Sequence, residues 1–398
     1  LAVTYISDKQ VVTSPNTEQR KYDVDPEIYY DRPDATPLLF LSQGPKSKIT
    51  KRKVSDVEYK FFEKQQHAHY TQVDGATYST ATVITVVSAA HFTVGDVVKG
   101  LTGEELLRVT SYNTTGNTIT VTRGYGTTTA TTLTDNEWLL VLANPMKEGS
   151  TTPEIKQVKA DAYTNLIQTF RTPLGGTHDH LQTEYWTGKP MEEHHKEAMF
   201  KHKLEIEKAM LLSEKTYDST NVIRQMSGIW NQIAGANDAN SGQITSVATT
   251  LTLAGFLTIL RKAWEYNDPG DTMIMLAAPY ITEAIMYWKE NRLVMKPSDE
   301  YYGLKCAEWV TNWGTLQIFN DWLFASPGTN AYDALGGRAV LFNPKFIKYV
   351  YFDRDSYLWT NTQDNNYHGR VDEYMTQCSV QLDNAKRHHV VKGVLAYS

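Results

Sequence analysis

The sequence predicts an α+β fold, and three observations carry that prediction. Between about residues 76 and 143 Thr, Val and Gly dominate and helix formers are scarce. A strong helical pattern runs from Pro190 to Lys215, and a β-then-α unit followed by further strands fills the C-terminal half. At 398 residues the chain exceeds an average domain, so two or three packed units, or one elaborated by insertions, are expected. With 41% hydrophobic and 21% charged residues, the composition is that of a globular protein and not of a disordered or collagen-like chain.

Residues 1 to about 46 show little helical or strand periodicity, contain Pro15, Pro26, Pro33, Pro37 and Pro45, and read as an extended arm. The apolar cluster Thr36-Pro37-Leu38-Leu39-Phe40-Leu41 within it needs burial against the same subunit or a neighbour. Residues 47–70 set Val54, Tyr59, Phe61 and Phe62 among Lys51, Arg52, Lys53 and Lys60, as in a charged β-ribbon. Short strands follow at Thr82–Val87, Asp96–Lys99, Leu106–Tyr112, Thr118–Thr122 and Trp138–Leu142. About five strands with frequent turns predict a small barrel or sandwich.

In the 190–215 helix Pro190 suits the first turn and Glu192 and Glu193 suit the positive end of the dipole, with Lys208 and Lys215 toward the other end. Met191, His195, Ala198, Met199, His202, Ile206, Ala209 and Met210 recur at helical spacing as one apolar stripe. Such a helix is roughly 35 to 40 Å long. A second helix is expected from about Leu253 to Tyr266, a buried strand over Met273–Ala277 and a helix from Pro279 to Asn291. Strands follow at Thr315–Asn320 and Arg338–Phe342. Antiparallel strands then close the chain around Phe346–Phe352, Tyr374–Leu382 and Val390–Val394.

The net charge of -6 argues against a surface built wholly for nucleic acid, although it leaves room for a local basic face. Cys306 and Cys378, the only cysteines, are too few for a disulfide scaffold and lack zinc-site spacing, which fits folding in a reducing compartment. No run of about 18 apolar residues is present to span a bilayer, and the N-terminal residues lack signal-peptide order, so a soluble chain without a membrane partner is expected. The sequence opens at Leu1 and not Met, which is compatible with a processed form, a trimmed chain, the ordered part alone or simple Met removal.

Motifs for chemistry are sparse. His178-Asp179-His180 has the His-x-His form that gives one ion two imidazoles, but a third ligand has no address, and the plainer reading is a solvated loop after Gly175-Gly176. His194, His195 and His202 lack the His-Glu-x-x-His order and read as helix-surface residues. Gly124-Tyr125-Gly126 reads as a turn and not a phosphate cradle. His388-His389 after Lys386-Arg387 reads as a solvated loop, with contact to nucleic acid or a neighbouring subunit as the functional alternative. No nucleophile elbow occurs, and neither Cys is paired by motif with a His. No catalytic, cofactor-binding or metal residue is assigned, and no enzymatic activity is expected. Tyr29, Tyr30, Tyr185, Trp186, Trp309, Trp313 and Trp322 suit either subunit contacts or ordinary core.

The order of these pieces resembles the major capsid proteins of tailed bacteriophages with the HK97-type fold, in the group whose extended loop is interrupted by a small β domain. The resemblance is carried by Thr36–Leu41, Ala90–Val98, Ile119–Gly126, Ala143–Gly149 and Tyr163–Phe170, followed by the long helix, the 273–291 unit and the C-terminal strands. It implies an arm at 1–46 and an extended loop at 47–160 carrying a β insertion at 76–143. It also implies a peripheral domain of 161–222 and 338–398 with a spine helix at 190–215, and an axial domain at 223–337. The implied function is self-assembly, as pentamers and hexamers, into an icosahedral shell around double-stranded DNA held without sequence specificity. Scaffold, portal and decoration proteins are the implied further partners, the virion the final location and the host cytoplasm the place of assembly. The alternative is a viral tail or fibre protein with a host-binding β domain. Lys60, Lys64, Asn365 and Asn366 are of the residue types that form an isopeptide crosslink in some members, without alignment to such a pair.

Overall fold

In the computed structural model, which describes residues 36–43, 47–152, 154–185, 188–234, 243–247, 250–292, 296–297, 306–324, 337–394 and 396–397, the apolar run Thr272–Ala277 is a strand buried on both faces. Ile274 and Leu276 enter one hydrophobic cluster while Met273, Met275 and Ala277 enter another. Such strands read as continuous apolar runs because neither face meets water. The helices are α1 (Pro37–Gln43), α2 (His178–Gln182), α3 (Pro190–Leu212), α4 (Ile229–Ala234), α5 (Leu253–Trp264) and α6 (Pro279–Arg292). The chain divides into two compact units, one of Leu1–Phe61 with Thr164–Ser398 and one of Phe62–Tyr163.

Among the described residues the first unit holds two large sheets, beside the small pairs Thr216–Asp218 with Ile223–Gln225 and Thr250–Leu251 with Ala396–Tyr397. A seven-stranded sheet runs in the order Ile244–Ser246, His389–Lys392, Ala339–Phe342, Thr272–Ala277, Thr315–Asn320, Cys306–Val310, Lys296–Pro297. Thr272–Ala277 is parallel to Thr315–Asn320 and antiparallel to Ala339–Phe342. Helices α5 and α6 cover one face through Phe256, Leu260, Ile281 and Ile285. On the other face lie α1, the C-terminal part of α3 and α4, through Leu38, Ile206, Met210 and Ile229. A five-stranded sheet runs Thr50–Lys53, Ile347–Tyr351, Gly369–Leu382, Gln168–Thr177, with Tyr357–Trp359 also paired to Gly369–Leu382. Its axis is the ten-residue antiparallel register from Gln168↔Cys378 to Thr177↔Gly369, on which α3 packs.

The second unit is a closed barrel. Its sheet orders Tyr70–Gln72, Trp138–Ala143, Val97–Gly100, Leu106–Asn113, Thr118–Thr122, Val83–Thr85, and closes where Val73 bridges Val86 and the Val87 N–H donates to the Gln72 carbonyl. Closure removes unpaired edges from strands of three to eight residues. Period-two alternation along Thr118–Thr122 places Ile119 and Val121 inside, with Val98, Leu107, Leu133 and Leu139. One polar knot is enclosed. Glu105, fully buried, accepts from Arg123 Nε at 2.9 Å and Nη2 at 2.8 Å, and from the Gly124 and Thr131 N–H groups. Burial alone would raise the Glu105 pKa, but the Arg123 and main-chain donors outweigh it and hold the carboxyl below its usual range.

Several expectations are corrected. Residues 37–43 of the expected extended arm form a helix, because Pro37 opens it and Leu38, Leu39 and Leu41 bury in the core of the same chain. Tyr29 and Tyr30, with the rest of the arm before residue 36, lie outside the described residues. The spine helix stops at Leu212, three residues short of expectation: the Ser213 N–H and hydroxyl both bond the Ala209 carbonyl, and Lys215 leaves the helix to bond Thr164 Oγ1 at 2.6 Å. The barrel gains Tyr70–Gln72 as a sixth strand, so a cut at residue 76 would leave that strand without Trp138–Ala143. The C-terminal strands do not close one sheet. Ile347–Tyr351 and Gly369–Leu382 join the five-stranded sheet, whereas Ala339–Phe342 and His389–Lys392 join the seven-stranded one, where Ile244–Ser246 pairs parallel to His389–Lys392. No helix among the described residues is long and apolar enough to cross a membrane.

Candidate functional site

Five of the eleven histidines gather where the N-terminal end of α3 meets the antiparallel pair Gln168–Thr177 and Gly369–Leu382. Gly175 and Gly176, expected to open a solvated loop, instead finish the strand Gln168–Thr177. A Cβ on Gly175 would lie 2.2 Å from the Arg370 carbonyl, so only glycine admits this strand approach. His178 and His180 lie on α2, not in a loop. The His178 ring is 4.8 Å from that of His368, and His180 stacks on His194 at 5.3 Å while its Nδ1 meets Tyr185 Oη at 2.6 Å. His195 Nε2 is 3.5 Å from the buried Asp372, whose other partner Arg370 approaches at 2.8 Å. Burial alone would raise the Asp372 pKa, but Arg370, the Asn361 N–H and His195 together hold it low. The arrangement ties the spine helix to the long antiparallel strand pair. Among the described residues no group of three or more His, Cys, Asp or Glu is placed to hold a metal ion.

His202, expected on the helix surface, is buried with its two ring nitrogens 2.9 Å from Thr172 Oγ1 and 2.8 Å from Thr376 Oγ1. Burial lowers its pKa. One turn on lies a residue the periodicity reading missed. Glu207 is fully buried, and its carboxylate accepts the Leu38 and Leu39 N–H groups of α1, each at 2.7 Å. The available signal was its place three and four residues before Met210 and Leu211, both fully buried.

His388 and His389 were also expected in solvent, and both are fully buried. The chain turns through Ala385–Arg387, where Lys386 and Arg387 are partly exposed and the Arg387 guanidinium lies over the Phe346 ring, then enters the strand His389–Lys392 between Ile244–Ser246 and Ala339–Phe342. Desolvation lowers the pKa of His388 to about 3 and of His389 to about 4. His388 Nδ1 accepts the Asn343 N–H, and His389 Nε2 meets Thr245 Oγ1 at 2.9 Å. Neither is available to nucleic acid or a partner.

The aromatic candidates divide. Trp309 is core, stacked on Phe256, whereas Tyr185, Trp313 and Trp322 are exposed at 41, 37 and 48%; Trp186 lies outside the described residues. Gly124 and Gly126 have φ of +58° and +74°, as a turn requires, and the Gly124 N–H goes to Glu105. Lys60, Lys64, Asn365 and Asn366 are all exposed. The features thus assembled are a strut helix on a long antiparallel strand pair, a helix-flanked sheet and a barrel, each with buried polar groups inside it.

A five-stranded sheet bearing a spine helix, with a separate helix-flanked seven-stranded sheet, is the architecture of an HK97-type capsid fold. The structure is similar to the capsid of Cyanophage P-SCSP1u, with 11% identity, a TM-score of 0.50, and coverage of 96% of this chain and 94% of that one. It also resembles the capsid of Myoviridae phage XM1 (10% identity, TM-score 0.46, covering 97% and 100%) and the SrpI encapsulin of Synechococcus elongatus PCC 7942 (12%, 0.42, covering 60% and 78%). No curated protein matches the sequence. The SU10 major capsid protein family matches residues 8–395, nearly the whole chain, and the chain belongs to that family. It is a major capsid protein of a tailed phage, a structural component of the virion shell built from copies of itself.

Proposed function

We propose that the chain assembles as pentamers and hexamers into an icosahedral shell that encloses double-stranded DNA, acting through surfaces and not through catalysis. The observation that supports this most is the family match over residues 8–395, joined to a spine helix of 23 residues, about 35 Å of strut. In this reading 1–46 is the arm and 47–160 the extended loop that reaches over an adjacent subunit, with the β insertion at 76–143 extended to include Tyr70–Gln72. Residues 161–222 and 338–398 form the peripheral domain and 223–337 the axial domain, with strands Ala339–Phe342 and His389–Lys392 lent to the axial sheet. Heterologous contacts of this kind close rings and shells. DNA is confined without sequence readout, its charge met largely by counterions. A scaffold, a portal and a decoration protein are the further partners, and assembly takes place in the host cytoplasm.

Replacing residues 65–159 by a short turn between Lys64 and Ala160 tests the loop's role. Because the strands Glu58–Lys64 and Ala160–Leu166 pair with each other, the remaining unit is expected to keep its cooperative melt by circular dichroism and to lose closed shells. Shells of normal form from this variant would remove the extended loop from the assembly mechanism.

A further inference from the structure

Each compact unit leaves an apolar surface in water. On the barrel, Tyr70–Gln72 and Trp138–Ala143 turn Tyr70, Trp138, Leu140 and Leu142 outward; Tyr70 stands opposite Leu140, and its ring meets Trp138 edge-on at 5.2 Å. Main-chain bonds from Val87 to Gln72 and from Leu101 to Trp138 set two more exposed apolar side chains beside them. Elsewhere the outward positions of the barrel strands are mostly polar, as at Thr85, Arg108, Thr110, Thr120 and Thr122. Period two carries the same face from Gln72 to the exposed Asp74. The Asp74 carboxylate has no hydrogen bond or ion pair among the described residues, whereas nearby Asp135 is bonded to the Gly75 N–H and to Asn136 Nδ2. The face therefore ends in an unpaired acid.

On the other unit, the ribbon of Thr216–Asp218 with Ile223–Gln225 joins no other sheet among the described residues. Its stem is fixed by Lys215 on Thr164 and by the Met226 and Ser227 N–H groups on Gln168 and Asn165. Its turn is fixed by Asp218, whose carboxylate accepts the Thr220 and Asn221 N–H groups. Yet Tyr217, Val222 and Ile223 are exposed at 56, 59 and 61%. Val222 has φ of +56°, a costly conformation for a β-branched residue and an easy one for glycine. A firmly built turn that holds such a side chain out in water points to a surface that covers it. Arg224, directly across from Tyr217 and so on the same face, has no ion-pair partner among the described residues.

We propose that the barrel face of one copy docks on the 216–225 ribbon of the next copy, with the acidic end at Asp74 meeting Arg224. The inference rests on the reading of 47–160 as a loop that reaches over an adjacent subunit, and names what the loop meets there. A second copy is the occupant because the shell is built from copies of this chain and because the two surfaces are complementary. Each is apolar with an aromatic at its centre; one ends in an unpaired acid and the other in an unpaired base. The contact is heterologous, since the two surfaces are different parts of the chain, and so it propagates from copy to copy around a ring.

Charge reversal in the full-length protein tests this, read as the fraction sedimenting as shells with wild type assembled in parallel. Arg224→Glu and Asp74→Lys are each expected to lower that fraction about tenfold, and the two together to restore it to within about threefold of wild type. Val222→Gly is expected to melt no lower than wild type by circular dichroism, its backbone strain being relieved, and still to form fewer shells. No rescue in the double reversal, or a Val222→Gly protein that assembles like wild type, would overturn the contact. Unchanged assembly of Asp74→Lys with loss of a bound decoration protein would overturn it too, and assign the barrel face to that partner. Wild-type protein that forms no shells would reject the shell reading itself. The same comparison is then made on the oligomers it does form, where a missing rescue again rejects the contact.

Discussion

Arg123→Ala is expected to destabilise the barrel by roughly 3 to 5 kcal/mol, the cost of leaving a buried charge without its partner. Glu105 would keep the Gly124 and Thr131 N–H groups but lose both guanidinium bonds, and the carbonyls of Tyr78, Ala81 and Thr131 would lose their donor in the same step. Hydrogen exchange in peptides spanning 97–122 should report the loss, while peptides of the seven-stranded sheet keep their protection. Arg123→Lys should rescue little, because one ammonium cannot serve a bidentate carboxylate and three carbonyls in fixed directions. Arg123→Met with Glu105→Leu should recover much of the stability, since the penalty lies in the unpaired charge. A change under about 1 kcal/mol in Arg123→Ala would show that water enters the knot.

Acidification from about pH 7 to about pH 5 is expected to remove on the order of 4 kcal/mol through His388 and His389 together. Both are depressed on folding, so their contribution is present above the unfolded histidine pKa of 6.5 and is lost as pH falls toward about 4 and about 3. Protonating His388 places a hydrogen on Nδ1, against the Asn343 N–H that now donates to it. For His389 the cost is burial, with the positive charge of Lys262 adding to it. Asp321 and Glu207, both raised by burial, work in the opposite direction over part of this range, so urea titrations in a background of Asp321→Asn with Glu207→Gln isolate the histidine limb. His389→Gln should flatten that limb by about half. A histidine limb absent from both backgrounds would mean that the sheet edge around Ile244–Ser246 opens before the rings titrate.

Parts of this fold were legible in the sequence. Met273–Ala277 and Thr118–Thr122 follow their patterns, one as an apolar strand buried on both faces and the other as strict alternation. Pro190 and the two following acids place the start of the spine helix. Helix α1 was not legible, because seven residues span too few turns for a period to emerge and its docking depends on an acid 169 positions away. The parallel pairing of Thr50–Lys53 with Ile347–Tyr351 is likewise invisible locally, since a charged β-ribbon does not name a partner strand some three hundred positions on, where Asp355 lies 2.6 Å from Lys51. His388 and His389 misled because Lys386 and Arg387 precede them. The polarity changes within two residues, where a 3₁₀ turn hands the chain to an interior strand.

Negative-stain electron microscopy of the purified protein, alone and with its scaffold, tests the central claim most directly. Closed polyhedral shells, accompanied by rings of five and six subunits, are the predicted result. Trimeric fibres or open tubes as the assembled form would contradict the shell and make a tail component the better account.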